Sequence, residues 1–201
     1  MSIWSDEQLT AHGVAREDEG YHPVSPGDVS WNESIFFDWI SEDGSQAGHC
    51  RIGRLPGQDR LWVWLYILSE GRWHCFDEPH LDLTSMSDHQ WSAQSDQIRF
   101  EWHVERPLAA SRLSLSCATD LPHEAGHAPV PISLDLRFTA AGPAHGMAAR
   151  EVKGKDGQVY QAGRFEQPCD VEGQISLNGV SAPFQGRGER DHSWGPRYWG
   201  I

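Results

Sequence analysis

The 201-residue sequence predicts an all-β fold, either an antiparallel barrel or a curved sandwich. Apolar and polar side chains alternate with a period of two in residues 97–104 (QIRFEWHV) and again in residues 131–138 (PISLDLRF), which is typical of strands buried on one face. Turn signals rich in Gly, Pro and Asp separate the strand-like segments, and only residues 5–18 show a helical pattern. With hairpin spacing and no crossover helices, the strands are expected to be antiparallel, with at most about a tenth of the residues in α-helix.

The remaining elements follow along the chain at similar intervals. Residues 61–68 (LWVWLYIL) are apolar at every position, which predicts a strand covered on one side by the core and on the other by a partner element or a ligand cavity. Loops are predicted at 119–131 and 140–150, where prolines and small residues accumulate. The other predicted strands are residues 34–41, 48–55, 72–78, 111–118, 161–167, 171–179 and 181–194.

Composition restricts the classes of partner. The formal net charge is -13, and no dense run of Lys and Arg is present to follow a phosphate backbone, which argues against nucleic acid and anionic membrane surfaces as partners. No apolar run is long enough to span a membrane, and the N-terminus does not resemble a secretion signal, so a cytoplasmic protein is expected. Cysteines 50, 75, 117 and 169 are widely spaced, which predicts reduced core thiols without a disulfide or metal.

The string HEAGH, residues 123–127, matches the HExxH pattern of zinc hydrolases. That mechanism needs both histidines on one helix, yet Pro122 precedes the string, Gly126 interrupts it and Pro129 follows it. The sequence therefore predicts a solvated loop and no metal site, with zinc hydrolysis through His123 and His127 as the alternative.

Residues 186–197 (GRGERDHSWGPR) concentrate hydrogen-bonding and aromatic groups. If this segment is a strand, Asp191 and Ser193 point to one face, and Arg190, His192 and Trp194 point to the other. In one interpretation an Arg190–Asp191 pair stabilises a strand end and Trp194 plugs a barrel. In the other, the histidine, the acid and the indole form a proton-donating site beside a cation-stabilising ring.

The pattern GxGxRDHSWGxR resembles the signature of the AttH-like and carotenoid 1,2-hydratase-like (hydroxyneurosporene synthase) superfamily, and residues 164–179 and 31–39 are similar to its preceding segments. The resemblance implies two consecutive lipocalin-like barrel halves with the motif near their junction. Residues 1–170 are accordingly expected to form one lipocalin-like barrel and residues 171–201 to begin a second half, in a chain that is part of a longer protein. Exposed strand edges favour a homodimer.

The resemblance also implies an activity, because the hydratases of the superfamily add water to isoprenoid double bonds without a metal or an organic cofactor. Those enzymes have Asn where this chain has Ser193, so the chain matches an uncharacterised branch better. The expected ligand is a large hydrophobic molecule of terpenoid, polyene or steroid type, which is bound in the barrel cavity and hydrated, dehydrated or cyclised. The alternative is a non-catalytic lipocalin-like binding module in which RDHSWG is a structural lock between barrel halves.

The residues expected to carry these roles fall into two groups. Asp191 is the expected acid, His192 its relay and Glu166 a second catalytic carboxyl group. The expected ligand-binding residues are Trp194, Arg190, Arg197, Trp62, Trp64, Trp73 and Trp102.

Overall fold

The protein consists mainly of strands in a computed structural model that describes residues 4–24, 28–122, 126–147, 152–153, 159–160 and 163–197. Its α-helix, α1, spans Asp6–Ala11. The strands are β1 (Trp31–Ser41), β2 (Gln46–Leu55), β3 (Arg60–Ser69), β4 (Arg72–Leu81), β5 (Ser85–Ser87), β6 (Gln90–Gln94), β7 (Ile98–Arg106), β8 (Ala110–Thr119), β9 (Val130–Ala140), β10 (His145–Met147), β11 (Val152–Lys153), β12 (Val159–Tyr160), β13 (Gly163–Leu177) and β14 (Val180–Pro196).

Twelve of the strands of the described chain form one curled, antiparallel sheet, a half-barrel. The order is β4-β3-β2-β1-β14-β13-β9-β8-β7-β6-β5, with β10 beside β13. The sheet curls far enough for β4 to reach β8, where the N–H groups of Cys75 and Asp120 each donate to the other residue's carbonyl at 2.9 and 2.8 Å. The all-β, antiparallel prediction is confirmed, and β14, which carries the RDHSWG motif, lies in the middle of the sheet.

Three details differ from the predicted elements. Strands β5 and β6 were not predicted, because their alternation extends over only three and five residues. Strand β10 lies inside the loop predicted at 140–150, and the two-residue strands β11 and β12 were also not predicted, because such short segments show no alternation. The segments predicted at 161–167 and 171–179 join into the single strand β13, so the expected domain boundary between residues 170 and 171 falls inside a strand. Pro168 is accommodated there because β13 pairs with β10 before it and with β9 after it, so its missing N–H removes no ladder bond on that side.

The inner face of the sheet encloses an apolar core. Strand β3 alternates as a half-buried strand does: Leu61 and Val63 point inward, whereas Trp62 and Trp64 point outward and are half-buried. Trp102 packs edge-on against Trp91 with ring centroids 5.6 Å apart, and both side chains are 1% exposed. Packed side chains therefore surround Trp102, which was expected to line a ligand cavity.

The cysteines lie mostly in the core, as expected. All four are free, and three of them are buried in the apolar core. Burial raises the pKa of the Cys117 and Cys169 thiols to about 12, so these groups stay protonated.

None of the helices in the described part of the chain is long and apolar enough to cross a membrane. Strands β4 and β5 are the edges of the sheet, and pairing with a second copy stays a prediction.

Candidate functional site

The alternation of strand β14 divides the RDHSWG motif between two faces of the sheet. Residues 190 to 193 are each at most 6% exposed. Arg190 and His192 hydrogen-bond to partners on the inner face, while Asp191 contacts an arginine on the outer face. The acid and the histidine predicted to act together are therefore separated by the sheet itself.

On the inner face, Arg190 makes a bidentate ion pair with Glu19, a residue of the N-terminal segment. Its Nη1 and Nη2 donate to the two carboxylate oxygens at 2.6 and 2.8 Å, and its Nε donates to Gln167 Oε1 at 2.9 Å. Glu19 Oε2 also accepts from the backbone N–H of Leu108 at 2.6 Å. The Arg190–Asp191 pair of the first interpretation does not form, because adjacent residues of a strand point to opposite faces.

Electrostatics keep the Glu19–Arg190 pair ionised. Burial alone would raise the pKa of the Glu19 carboxyl, but the charge and hydrogen bonds of Arg190 outweigh burial and lower it. Burial alone would likewise lower the pKa of Arg190, and Glu19 raises it instead. The pair is a buried tie between the N-terminal segment and the centre of the sheet.

A second buried group surrounds Glu33 on β1. Its Oε1 accepts from His192 Nε2 at 3.2 Å and from His22 Nδ1 at 2.9 Å, and its Oε2 accepts from Arg54 Nη2 at 2.7 Å. Burial acts to raise the pKa of Glu33, but the histidine hydrogen bonds and the charge of Arg54 prevail and lower it to about 2. Trp194 closes this group by stacking on His22, with centroids 3.8 Å apart and planes 7° from parallel.

The side chains of His22, Glu33 and His192 have the donor types of a metal site, and their ligand atoms lie within 4.8 Å of one another. The Glu33 carboxylate, however, already accepts hydrogen bonds from both histidines and from Arg54. A guanidinium 2.7 Å from the carboxylate repels a divalent cation at this position. The arrangement is better explained as a buried Glu33 carboxylate whose negative charge is compensated by Arg54 and by the hydrogen bonds of the two histidines.

On the outer face, Asp191 lies between Phe36 of β1 and Glu166 of β13 in the sheet register. Arg164 contacts both carboxylates, Asp191 and Glu166. Burial raises the pKa of the Asp191 carboxyl above its usual range, although the charges of Arg164 and Arg197 partly offset the effect. Asp191 is therefore a buried acid on the face where Glu166, the second predicted carboxyl group, also lies.

A row of half-buried aromatic side chains continues from Asp191 across this outer face. The ring centroid of His49 lies 5.7 Å from that of Phe36 and 5.0 Å from that of Tyr66. The ring centroids of Trp62 and Trp64 lie 5.2 Å apart. The guanidinium of Arg51 lies 4.6 Å from the centroid of the Trp64 ring. We call Phe36, His49, Tyr66, Trp64 and Trp62 the aromatic row. Strands β1, β2 and β3 each contribute to it because their outward positions are in register.

The predicted ligand-binding tryptophans occupy different environments and do not line one cavity. Trp62 and Trp64 belong to the aromatic row, whereas Trp102 is in the core. Trp73 is 40% exposed on β4, and Trp194 packs on His22 at the inner face. The prediction that these tryptophans line one apolar cavity is therefore wrong, because they lie in the core, on the outer face and beside His22.

Sequence reasoning missed Glu19, Glu33 and Gln167 as partners of the motif. One signal was available: Glu33 shares the period-two positions of Ile35 and Phe37, so it was bound to lie on the core face and to need compensation. Gln167 carries the same signal, because it shares the period-two positions of Phe165 and Cys169. Glu19 precedes the first strand, and the sequence has no comparable signal for it.

The HEAGH string lies partly outside the described residues, which exclude 123–125. Gly126 has a φ of 87°, which an α-helix does not contain, and His127 is exposed. The helix needed for HExxH chemistry therefore cannot continue through Gly126.

An open groove of about 880 Å³ lies near the β6–β7 hairpin, with Phe76, Ile98, Cys117 and Ile132 among its lining residues. None of the predicted site residues lines it. The groove is concave but lacks the motif, so it is a weaker candidate than the outer face.

The fold is of the lipocalin-like AttH type. The chain is similar to the AttH structure from Nitrosomonas europaea, with 14% identity and a TM-score of 0.62 over 92% of this chain and 56% of that one. It is also similar to CghA determined with Sch210972, with 15% identity and a TM-score of 0.56 over 90% of this chain and 53% of that one. The chain thus spans little more than half the length of these structures.

The family is shown by the sequence itself. Residues 15–201 match the profile of DUF7064, described as a domain of unknown function, and the chain belongs to this family. The likeness to AttH and CghA adds the fold to this family assignment. No curated protein matches the chain.

Proposed function

We propose that the protein binds a large hydrophobic small molecule along the aromatic row, with the reacting part of the molecule beside Asp191. The observation that carries the proposal is a buried acid with a raised pKa at the end of a half-buried aromatic surface. Packed side chains fill the inner face around Trp91 and Trp102, and the open groove beside the β6–β7 hairpin lacks the motif, so the outer face is the better candidate.

The proposed chemistry is cofactor-free acid–base conversion of an alkene. Asp191 in its protonated form donates its proton to one alkene carbon, and the neighbouring carbon becomes a carbocation. Tryptophan faces stabilise such a cation through their electron-rich rings. Water then attacks the cation, and the proton it loses returns to the Asp191 carboxylate, which completes a hydration. The reverse sequence is a dehydration. In a cyclisation a second alkene of the same molecule attacks the cation, and the new cation then loses a proton from a neighbouring carbon to the Asp191 carboxylate, which leaves a cyclic alkene.

The two other residues that the sequence predicts to be catalytic, His192 and Glu166, differ in how well they fit this proposal. His192 lies on the inner face with Glu33, which argues against its acting as the relay of Asp191. Glu166 is on the correct face and reaches Asp191 through Arg164, so it is the better second group.

A non-catalytic binding module is the second candidate. The Glu19–Arg190 and Glu33–His192 contacts favour it, because they are what a structural lock requires. In this candidate the aromatic row still binds the hydrophobic molecule, and Asp191 only neutralises the arginines around it.

Replacing Asp191 by Asn separates the two candidates. The variant keeps the size of the side chain but loses its transferable proton, so turnover of a responsive alkene should fall by roughly a hundredfold while the melting temperature changes little. The assay is product analysis by mass spectrometry over a panel of terpenoids, polyenes and steroids. Turnover that is unchanged in the variant would exclude Asp191 as the acid, and a panel that binds without any turnover would favour the binding module.

Binding is measured on the same panel by tryptophan fluorescence. We expect ligand quenching to be lost in Trp64→Leu and retained in Trp73→Leu, which removes an exposed tryptophan outside the aromatic row. Equal quenching in both variants would place the ligand elsewhere on the molecule.

A further inference from the structure

A row of three titratable side chains crosses the outer face at the position of Asp191. In the sheet register, Glu166 of β13 lies opposite Asp191 of β14, and His145 of β10 lies opposite Glu166 on its other side. Side chains that are directly opposite in neighbouring antiparallel strands point to the same face, with Cβ atoms about 5 Å apart. We call His145, Glu166 and Asp191 the titratable row, because each member can bind and release a proton.

Exposure to solvent falls along the titratable row. His145 is exposed, the side chain of Glu166 is 33% exposed, and the side chain of Asp191 is 6% exposed. On its other side Asp191 has Phe36 as its register neighbour, which belongs to the aromatic row. A hydrophobic ligand on the aromatic row therefore covers Asp191 from that side, and water approaches Asp191 from the side of Glu166.

Arg164 fixes the positions of the two carboxyl groups. It lies two positions before Glu166 on β13, so both side chains point to the outer face. Its Nη2 is ion-paired with Glu166 Oε1 and its Nε with Asp191 Oδ2. A planar guanidinium orients its partners through a rigid fork of N–H groups, which the ammonium group of a lysine does not have. One side chain therefore holds both carboxyl groups of the titratable row beside each other.

The electrostatics favour a proton at the buried end of the titratable row. Burial raises the pKa of the Asp191 carboxyl, and the negative charge of Glu166 adds to this effect. Charged groups on several elements act on the same carboxyl: Arg164 and Glu166 of β13, Arg51 of β2, Glu189 and His192 of β14, and Arg197 directly after it. Asp191 is the member that stores the proton, and Glu166 is the member in contact with water.

We infer that Glu166 is the proton-relay residue of the proposed site and that Arg164 is its positioning residue. After Asp191 has given its proton to the alkene, Glu166 accepts the proton that the attacking water loses and passes it to the Asp191 carboxylate. The oxygen of that water forms the new C–O bond, so alkene and water give an alcohol, and both carboxyl groups return to their starting states. The inference rests on the proposed function and adds the route by which its acid regains the proton.

The first measurement needs no substrate. Protein labelled with carbon-13 at the aspartate carboxyl groups is titrated with pH, and the Asp191 signal is identified by its absence from Asp191→Asn. We expect the pKa of Asp191 to be lower in Glu166→Gln, where a like charge is lost, and higher in Arg164→Met, where a cation is lost. Glu172→Gln is the matched control, because it removes an exposed carboxylate from the same strand, and it should leave the titration unchanged.

The second measurement is turnover of farnesol, an isoprenoid alkene, with the hydrated product counted by mass spectrometry. Glu166→Ala should slow turnover by roughly tenfold, because the buried acid regains its proton more slowly. Added acetate should restore turnover in this variant, since a free carboxylate takes the place of the missing relay. Glu172→Ala should turn over like the wild type, with and without acetate.

Arg164→Lys separates positioning from charge. The lysine keeps the positive charge, so the pKa of Asp191 should stay nearer to its wild-type value than in Arg164→Met. The rigid fork is lost, so kcat should fall while KM is unchanged. A fall in both variants that is matched by a loss of folded protein would assign Arg164 to stability alone.

The outcomes distinguish the inference from the proposed function. An Asp191 titration that is identical in the wild type and Glu166→Gln would overturn the inference, and that conservative variant serves even where Glu166→Ala does not fold. Turnover that is as fast in Glu166→Ala as in the wild type, or a loss that acetate does not restore, would also overturn the inference and leave the proposed function standing. No conversion of farnesol or of any other member of the terpenoid, polyene and steroid panel would overturn the proposed catalysis and the inference with it.

Discussion

Replacing Arg190 by Met lowers the free energy of unfolding by roughly 3–5 kcal/mol, the usual cost of removing one partner from a buried ion pair. The reason is that the fully buried Glu19 side chain loses its counter-ion, so it must either carry an uncompensated charge or take up a proton. Gln167 Oε1 loses two donors at the same time. The measurement is the urea midpoint and slope of the variant compared with those of the wild-type protein.

One control removes another arginine of β14, and a second removes both partners of the Glu19–Arg190 pair. Arg187→Met removes an exposed arginine from β14 and should change stability by less than about 0.5 kcal/mol. The double variant Glu19→Leu/Arg190→Met should recover part of the loss, but the Leu108 N–H and the Gln167 amide oxygen stay unpaired at about 1–3 kcal/mol each. If Arg190→Met is as stable as Arg187→Met, the Glu19–Arg190 tie is not a stabilising lock.

The second large effect is the acid sensitivity caused by Glu33. Its pKa is about 2 in the folded protein and near 4.5 in the unfolded chain. A carboxyl group with a depressed folded pKa contributes stability above its unfolded pKa, and the contribution disappears as the pH falls from 4.5 to about 2. The difference of pKa values corresponds to about 3 kcal/mol over this window.

Glu33→Gln tests this prediction because the amide keeps the shape of the side chain but does not titrate. The variant should be less stable than the wild type at pH 6 and should lose about 3 kcal/mol less between pH 5 and pH 2. Glu42→Gln removes an exposed carboxylate and should leave the acid dependence of the wild type in place. Parallel acid curves for wild type and Glu33→Gln would contradict the low pKa.

The sequence by itself determined the strands, because side-chain alternation is a local property that each segment carries alone. The segments predicted at 111–118 and 131–138 became β8 and β9 with only one or two residues added at each end. The same alternation correctly predicted that Asp191 and His192 point to opposite faces of the sheet. It failed for β5 and β6, where the pattern is too short to distinguish a strand from a loop.

Only the tertiary structure decided which residues meet the motif. Glu19 and Arg190 are 171 positions apart, and Glu33 and His192 are 159 positions apart. Both contacts exist because β1 pairs with β14 in one particular register, with Ile35 opposite His192, and because the N-terminal segment returns to cover that end of the sheet. Alternation states which face a side chain takes, but not which strand lies beside it. That choice is made by the packing of the whole sheet around its core, and it assigns Arg190 and His192 to the buried ties and Asp191 to the candidate site.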